Sequence, residues 1–404
     1  MSEGKEKIRI LRIINRFNLG GPTFNVAYLT RYLEHPFETK LVGGLKDESE
    51  ASSEFILQRL EIEPIIISEM KRSVSPAHDL KAYREIEAII QAYRPHILHT
   101  HASKAGTLGR LAAHRNGVPI ILHTFHGHVF HSYFNTFTTY VYKRIERYLA
   151  KRSTRIIAIS DIQRYELGAL HRIARQEKIE VIPLGFDLRR FQEDQAQKRE
   201  AFRTQYELTD EHVAIGVIGR LVPIKNHHMF IDAIYSLSKT HPQARFFIVG
   251  GGELDADLRG YCEKIGLGYT WMEPPTQDAP LAFTSWIKEV DIAIAGLDVV
   301  ALTSLNEGTP VSLIEAQAAE KPVVSTRVGG IEDIVVEGGS ALLCEVGDTR
   351  RMVVHLQRLI EDPRRRHAMG KVGKAHVVEQ YSFNRLVEDM KNLYHTLLRE
   401  KGIL

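Results

Sequence analysis

A chain of 404 residues exceeds what one hydrophobic core usually supports, so two domains of about 180 to 200 residues each are expected. With 44% apolar and 25% charged residues and a net charge of only +3, the composition is that of a globular protein and calls for no nucleic-acid partner. Only Cys262 and Cys344 occur, no run of about eighteen residues is apolar, and the charged start MSEGKEKIRI passes straight into a strand; a disulfide framework and a bilayer-spanning helix are excluded and a cytoplasmic location is expected.

Along the chain, short β-rich runs alternate with longer amphipathic stretches, the pattern of doubly wound parallel sheets and an α/β fold. Strands are expected at 8–14, 39–44, 64–68, 96–101, 119–126 and 155–160, and in a second series at 212–219, 244–250, 299–304, 322–328 and 341–346. Two Rossmann-like domains follow, 1–187 and 212–382, with the polar stretch 188–211 as the linker region. The end, 383–404, reads as a helix with apolar spacing at Leu386, Met390, Leu393 and Leu397. Ligands of such sheets bind outside the carboxyl ends of the strands, and two sheets facing each other across a cleft would place both sets of loops inside it.

The loops then matter in order. NLGGPTFN (18–25) follows the first strand: Gly20 and Gly21 permit close backbone approach, or simply a turn, and Pro22 opens a helix running to about Leu33. HTHASKAG (99–106) and HTFHGHVFH (123–131) each end a strand. Here His99 and His101 are candidates to face the cleft and Lys104 to hold an anionic group, while Gly106 and Gly109 suit close helix-to-sheet packing. The cluster His123, His126, His128 and His131 invites a zinc reading, but no Cys accompanies it and alternate residues of one strand point to opposite faces, so no metal site is expected. VGGGEL (249–254) brings Gly251 to a strand end, as a turn or as a ligand contact. GRLVPIKN (219–226) places Arg220 and Lys225 after another strand, a planar fork and a point charge suited to two phosphates.

NEGTPVSLIEA (306–316) carries the most chemistry. Pro310 before an apolar run predicts a helix from Val311, whose N-terminal amides at Ser312, Leu313 and Ile314 offer an anion site together with the Gly308–Thr309 loop. Glu307 and Glu315, eight residues apart, would flank a diphosphate and grip hydroxyls on either side, although such a pair is also what a solvated helix start contains.

This segment closely resembles the E-x7-E signature of family 4 glycosyltransferases, and GRLVPIKN matches that family's G-R-L-x-x-x-K-[GN] loop residue for residue. The resemblance covers nearly the whole chain and implies a GT-B fold, retaining hexosyl transfer from a nucleoside-diphosphate sugar (a UDP-sugar favoured, a GDP-sugar the alternative) and no cofactor. It further implies that the terminal helix 383–404 crosses back onto the first domain, that Arg220 and Lys225 stabilise the diphosphate, and that Glu307 holds the sugar and Glu315 the ribose diol. The glycine loop at Gly20 and Gly21 would lie near the donor phosphates, and His126, with His128 the alternative, would contact the transferred sugar without abstracting a proton. One landmark departs from the pattern: where the family commonly has Pro-Asn-Gly-Val-Asp, this chain reads Pro183-Leu184-Gly185-Phe186-Asp187. The basic run KRIERYLAKRSTR (143–155), with Lys71 and Arg72, suits either a solvated helix face or peripheral contact with an anionic membrane bearing a lipid-linked saccharide acceptor. A related epimerase or phosphorylase and a non-catalytic nucleotide-sugar binder are the competing readings. A dinucleotide oxidoreductase is disfavoured, because no G-x-G-x-x-G opens the helix after the first strand.

Overall fold

The computed structural model describes residues 7–18, 20–47, 53–71, 73–126 and 136–404. They form two compact units, 1–186 with 381–404, and 187–380.

The sheet of the first unit contains β1 (Ile8–Arg16), β2 (Phe37–Gly44), β3 (Ile65–Ile66), β4 (Ile97–His101), β5 (Ile120–Thr124), β6 (Arg155–Ala158) and β7 (Ile179–Val181), in the order β3-β2-β1-β4-β5-β6-β7. Every pairing is parallel, and the order reverses between β1 and β4, where Ile10 lies beside Ile97 and Ile14 beside His101. Both faces of this sheet are covered, as a parallel sheet requires. The terminal helix Phe383–Glu400 covers one of them, capped by Ser382 Oγ accepting from Arg385 N at 3.4 Å. Its Leu386, Met390, Tyr394 and Leu397 pack with Ile8, Ile10, Leu29, Ile97 and Ile120. Leu393, on the stripe read from the sequence, is only partly buried; Tyr394 takes the core position beside it.

In the second unit β8 (Val213–Ile218), β9 (Ala244–Val249), β10 (Tyr269–Trp271), β11 (Leu281–Ser285), β12 (Val299–Leu302), β13 (Val323–Thr326) and β14 (Ala341–Cys344) pair in the order β10-β11-β9-β8-β12-β13-β14, again all parallel. Strands β8, β9, β12, β13 and β14 are buried along their whole length, which is why they read as unbroken apolar runs. The reversal point falls between β8 and β12.

Two corrections follow. The polar stretch 188–211 is not a linker: its helix Gln195–Gln205 belongs to the second unit, with Phe191 and Phe202 buried and Arg199 and Arg203 reaching Asp298 at 2.8 and 3.3 Å. Arg199 and Arg203 are thus partners of Asp298, which also accepts from Ala214 N at 2.8 Å, and polarity therefore conceals a packed element. Second, 268–290 contains two strands, β10 and β11, and the short β7 also lies outside the expected set.

Gly185 shows how the terminal helix fits. A Cβ there would lie 2.6 Å from Leu386 Cβ and 2.8 Å from Phe383 Cα, while its own N–H and C=O are held by the Asn25 amide at 3.0 and 3.2 Å. Gly185→Ala is therefore expected to destabilise the first unit by about 1–3 kcal/mol through overpacking. A urea titration would read this as a lower midpoint with an unchanged slope.

Candidate functional site

The loops at the carboxyl edge of the second sheet are interlocked by backbone contacts that admit no side chains. A Cβ at Gly250 would sit 1.9 Å from Gly219 O, and one at Gly252 2.4 Å from Leu221 O. On the other side of β8, Leu305 N donates to Ile224 O at 2.8 Å and Thr303 Oγ1 to Lys225 O at 3.1 Å, which ties the loop after β8 to the loop after β12. Thr326 Oγ1 at the end of β13 donates to Ser304 O at 2.7 Å. Gly329 has φ +51°, and a Cβ on it would meet Glu307 O at 1.8 Å; one on Gly330 would meet Gly308 O at 2.1 Å. The loops after four strands thus share one rigid edge.

On that edge Lys225 Nζ meets Glu307 Oε1 at 2.5 Å, and Ser304 Oγ donates to the same oxygen at 2.5 Å. The side chains are 19% and 11% exposed, so the pair is largely desolvated and firmly held. Lysine has three N–H donors, so one tethers Glu307 and two remain to meet an anion. Arg220 is exposed and forms no ion pair with a described residue. An exposed cation thus lies in sequence five residues before a fixed one.

Helix Val311–Ala318 starts as expected, with Pro310 at its N-cap. Gly308 faces open space, and Thr309 and Ser312 are partly exposed. The amide of Leu313 is engaged already with Pro310 O at 3.1 Å, and the side chains of Leu313 and Ile314 are buried, so the anion-binding amides expected there narrow towards Val311 and Ser312. Glu315 is half-buried. Burial, with Asp291 adding to it against the opposing Arg190, raises its pKa to about 7. Asp291 itself is paired with Arg190 at 2.9 Å and Lys198 at 3.2 Å, which are residues of the supposed linker.

Gly251 lies under an aromatic ring that sequence reasoning missed: a Cβ there would be 3.0 Å from Trp286 Cδ1. Trp286 is 61% exposed. It follows Ser285, whose φ of +58° is strained for a residue with a side chain and is held by Gly250 N donating to Ser285 O at 3.0 Å. The glycine pair Gly329–Gly330 was likewise missed, although a Gly-Gly directly after a strand is a readable sign of close backbone approach.

In the first unit the histidines form a buried network at the carboxyl ends of β4 and β5. His99 is fully buried, with Nδ1 on Tyr394 Oη and Nε2 on Thr124 Oγ1, both at 2.7 Å. Arg12 Nη2, also fully buried, donates to the same Tyr394 Oη at 3.0 Å. His101 Nδ1 lies 2.8 Å from Nε2 of His126, and the rings of His99 and His101 are 4.2 Å apart. His101 Nε2 and His126 Nδ1 are buried without a partner among the described residues. Burial holds His126 down to about pKa 4, and burial with the nearby Arg12 and histidines holds His99 and His101 well below the usual range, so all three are neutral at pH 7. Ala102, next in the chain, has φ +67° and ψ 156°, a conformation normally left to glycine.

Two expectations are corrected here. His99 does not face an opening; both its nitrogens are engaged in the core. Lys104 is 10% exposed and bonded to Asp79 Oδ1 at 2.6 Å and to Ser73 O, so its charge is neutralised structurally. Gly20 and Gly21 open helix Gly21–Arg31 at the end of β1, with Pro22 in its first turn as expected. His128, His131 and Arg72 lie outside the described residues.

Residues 198–376 match the family model described as glycosyl transferases group 1, and residues 20–190 match the model of glycosyltransferase family 4. The chain belongs to the family 4 glycosyltransferases. It is 29% identical over 332 residues to the Escherichia coli UDP-Gal:alpha-D-GlcNAc-diphosphoundecaprenol alpha-1,3-galactosyltransferase, covering 82% of this chain and 83% of that one. It is 26% identical over 337 residues to the capsular polysaccharide biosynthesis glycosyltransferase CapM of Staphylococcus aureus, with 82% and 84% covered. Among solved structures, Anabaena HepE in complex with UDP superimposes with a TM-score of 0.80 at 18% identity, covering 96% of this chain and all of that one. The fold of this glycosyltransferase is GT-B.

Two measurements probe the geometry. Because Lys225 and Glu307 touch, Lys225→Ala and Glu307→Ala should each lower transferase activity about 10²–10³-fold, and the double variant by far less than the product of the two. Multiplicative losses would show that the contact is incidental. The neutral histidines set an acid limit. Unfolded, each takes up a proton near the ordinary 6.5; folded, His126 does so only at about 4. Their stabilisation is therefore present above pH 6.5 and lost as pH falls below it. A melting-temperature profile should decline from pH 6.5 towards 4, and His101→Gln should flatten it.

Proposed function

We propose that this glycosyltransferase moves a hexosyl group from a UDP-sugar, with retention at the anomeric carbon, to a hydroxyl of a lipid-linked saccharide during synthesis of a cell-surface polysaccharide or glycolipid. The observation that carries the reading is the fixed Lys225–Glu307 pair on an edge that also carries the exposed Arg220 and the start of helix Val311–Ala318. Support for UDP comes from the names of similar proteins, a UDP-galactose-dependent enzyme and a UDP complex. A GDP-sugar is the alternative donor. The same names support a diphosphate-lipid or capsular saccharide as acceptor.

In this reading Arg220 and the remaining donors of Lys225 neutralise the departing diphosphate, with the amides of Val311 and Ser312 and the Gly308–Thr309 loop around it. The bond from the anomeric carbon to the diphosphate oxygen breaks while the acceptor oxygen bonds on the same face, and the acceptor proton passes to the departing diphosphate. These cations act most strongly where charge develops, and they make a metal unnecessary. Glu307, oriented by Lys225 and Ser304, holds sugar hydroxyls through its second oxygen. Glu315 accepts from the ribose diol, and Trp286 offers a stacking face for the base. Gly20 and Gly21 line the phosphate side, and His126, neutral and hydrogen-bonded to His101, orients the transferred sugar. The reaction belongs on the cytoplasmic side of a membrane; no helix among the described residues is long and apolar enough to cross one.

Thermal stabilisation by UDP, GDP and ADP in EDTA tests the donor site. A nucleotide at a hundred times its dissociation constant adds about 2.7 kcal/mol. The expected result is stabilisation by UDP that Arg220→Ala and Trp286→Ala both reduce; equal or absent shifts with all three nucleotides overturn the assignment. A second expectation concerns pH. Glu315, with its pKa raised to about 7, is protonated below neutrality, and only the carboxylate accepts from both ribose hydroxyls. UDP affinity should therefore rise between pH 6 and 8, and Glu315→Gln should remove the slope; calorimetric titration across that range checks it.

A further inference from the structure

Helix Thr136–Arg152 lies between β5 and β6 and carries two apolar faces. One is packed, with Leu149 and Ala150 buried and Glu146 bonded to the buried Arg110 at 2.7 Å. The other is in water: Tyr140 is 58% exposed, Val141 38%, Ile145 40% and Tyr148 49%. Val141, Ile145 and Tyr148 follow spacings of four and three along one stripe, and Tyr140, one residue before Val141, widens it at its amino end. A soluble helix places polar groups there, and scattered single exposures need no explanation, but a contiguous aromatic and aliphatic stripe does.

The stripe runs into a strongly basic groove of about 1540 Å³ at the amino ends of β5 and β6. Tyr148 belongs to both. Nine lysines and arginines line the groove, among them Arg144, Arg147 and Lys151 of the helix, against two acids, Glu177 and Glu400. Those acids pair with Arg175 at 3.9 Å and Arg155 at 3.1 Å, so seven cations have no carboxylate partner in the groove. The whole chain carries only +3, so its positive charge is concentrated on this face. The stem of Arg152 brings its guanidinium over the Tyr148 ring at 3.5 Å, which joins apolar and cationic surface into one amphipathic strip.

We propose that this face is a docking surface for an anionic phospholipid bilayer. Tyr140, Val141, Ile145 and Tyr148 enter the boundary between headgroups and acyl chains, and the groove cations meet lipid phosphates. Polar headgroups satisfy the charges and hydrocarbon covers the stripe, a combination that nucleic acid does not offer. The proposal extends the reading of a lipid-linked acceptor, since docking would hold the enzyme where such an acceptor resides.

Sedimentation of the full chain with vesicles tests it. Binding is expected to vesicles of phosphatidylcholine mixed with phosphatidylglycerol and not to phosphatidylcholine alone, and it should weaken as added salt screens the charges. Arg144→Glu with Lys151→Glu should weaken it by about tenfold or more. Tyr140→Ser with Ile145→Ser should also weaken it, with salt dependence retained. All four positions are exposed, and an unchanged UDP-induced thermal shift certifies that the variants are folded. Absence of binding at low salt, equal binding to both vesicle types, or indifference to either double variant overturns the proposal. Salt-sensitive binding of duplex DNA that displaces the vesicles and ignores the Tyr140 and Ile145 changes assigns the surface to nucleic acid instead. If UDP fails to stabilise the wild type while vesicle binding follows the expected pattern, the donor assignment fails and the membrane surface stands.

Discussion

Backbone-to-backbone approach at the carboxyl edge of the second sheet is the constraint on which the site depends. At Gly250, Gly252, Gly329 and Gly330 a single added carbon would fall between 1.8 and 2.4 Å from a carbonyl oxygen of a neighbouring loop. Loops in such contact cannot slide independently, because the cost of overlap rises steeply while the gain from added dispersion is small. The segment carrying Glu307 is thereby fixed by Gly329 and Gly330, and the segment carrying Lys225 by Thr303 and Leu305. The 2.5 Å contact between the two charges follows from where the backbones are held rather than from the attraction alone. A partly exposed pair joined only by its charges would contribute little and wander.

The first unit solves a different problem, that of burying polar groups in a parallel sheet covered on both faces. Arg12 on β1 and His99 on β4 are both wholly buried, and both reach the hydroxyl of Tyr394. A guanidinium without a carboxylate is costly in a low-dielectric core unless its donors are satisfied. Thr30 and Tyr394 supply two acceptors at 3.2 and 3.0 Å, and the remaining Nε has no partner among the described residues. The terminal helix is therefore more than an apolar cover. Its hydroxyl fixes which way His99 faces, and His99 in turn holds Thr124, two residues before His126.

Much of this was legible in the sequence, for reasons that also explain what was not. Strands such as VAIGVI and ARFFIV are buried on both faces, so they announce themselves as apolar runs, and the loops that follow them locate Arg220, Lys225, Glu307 and Glu315. The three residues of β10, partly exposed at a sheet edge, give neither a run nor an alternation to read. Helix Gln195–Gln205 was hidden for the opposite reason: ion pairs to Asp298 replace the apolar face that periodicity detects. Lys104 shows a further limit. Residue type gives a charge, but only the fold reveals that Asp79 already neutralises it.

The two carboxyl edges differ in electrostatic character in a way that suits group transfer. The second unit presents cations, one fixed at Lys225 and one exposed at Arg220, on the edge where helix Val311–Ala318 starts. The histidines of the first unit are desolvated and neutral, and His126 with a pKa near 4 is a poor proton acceptor at pH 7. A base whose conjugate acid is that strong adds little to the nucleophilicity of a sugar hydroxyl, whose proton is held far more tightly. On the proposed reading, a diphosphate leaving group becomes a better base as its bond to carbon breaks, so the strongest acceptor at the moment of transfer arises on the substrate itself. On the same proposed reading, neutral imidazole contributes by direction: His126 is hydrogen-bonded through one nitrogen to His101, and its other nitrogen has no partner among the described residues. A protonated His101 would be repelled by His99, His126 and the Arg12 guanidinium, so the same desolvation that keeps these imidazoles from acting as bases keeps the histidine network from disrupting itself.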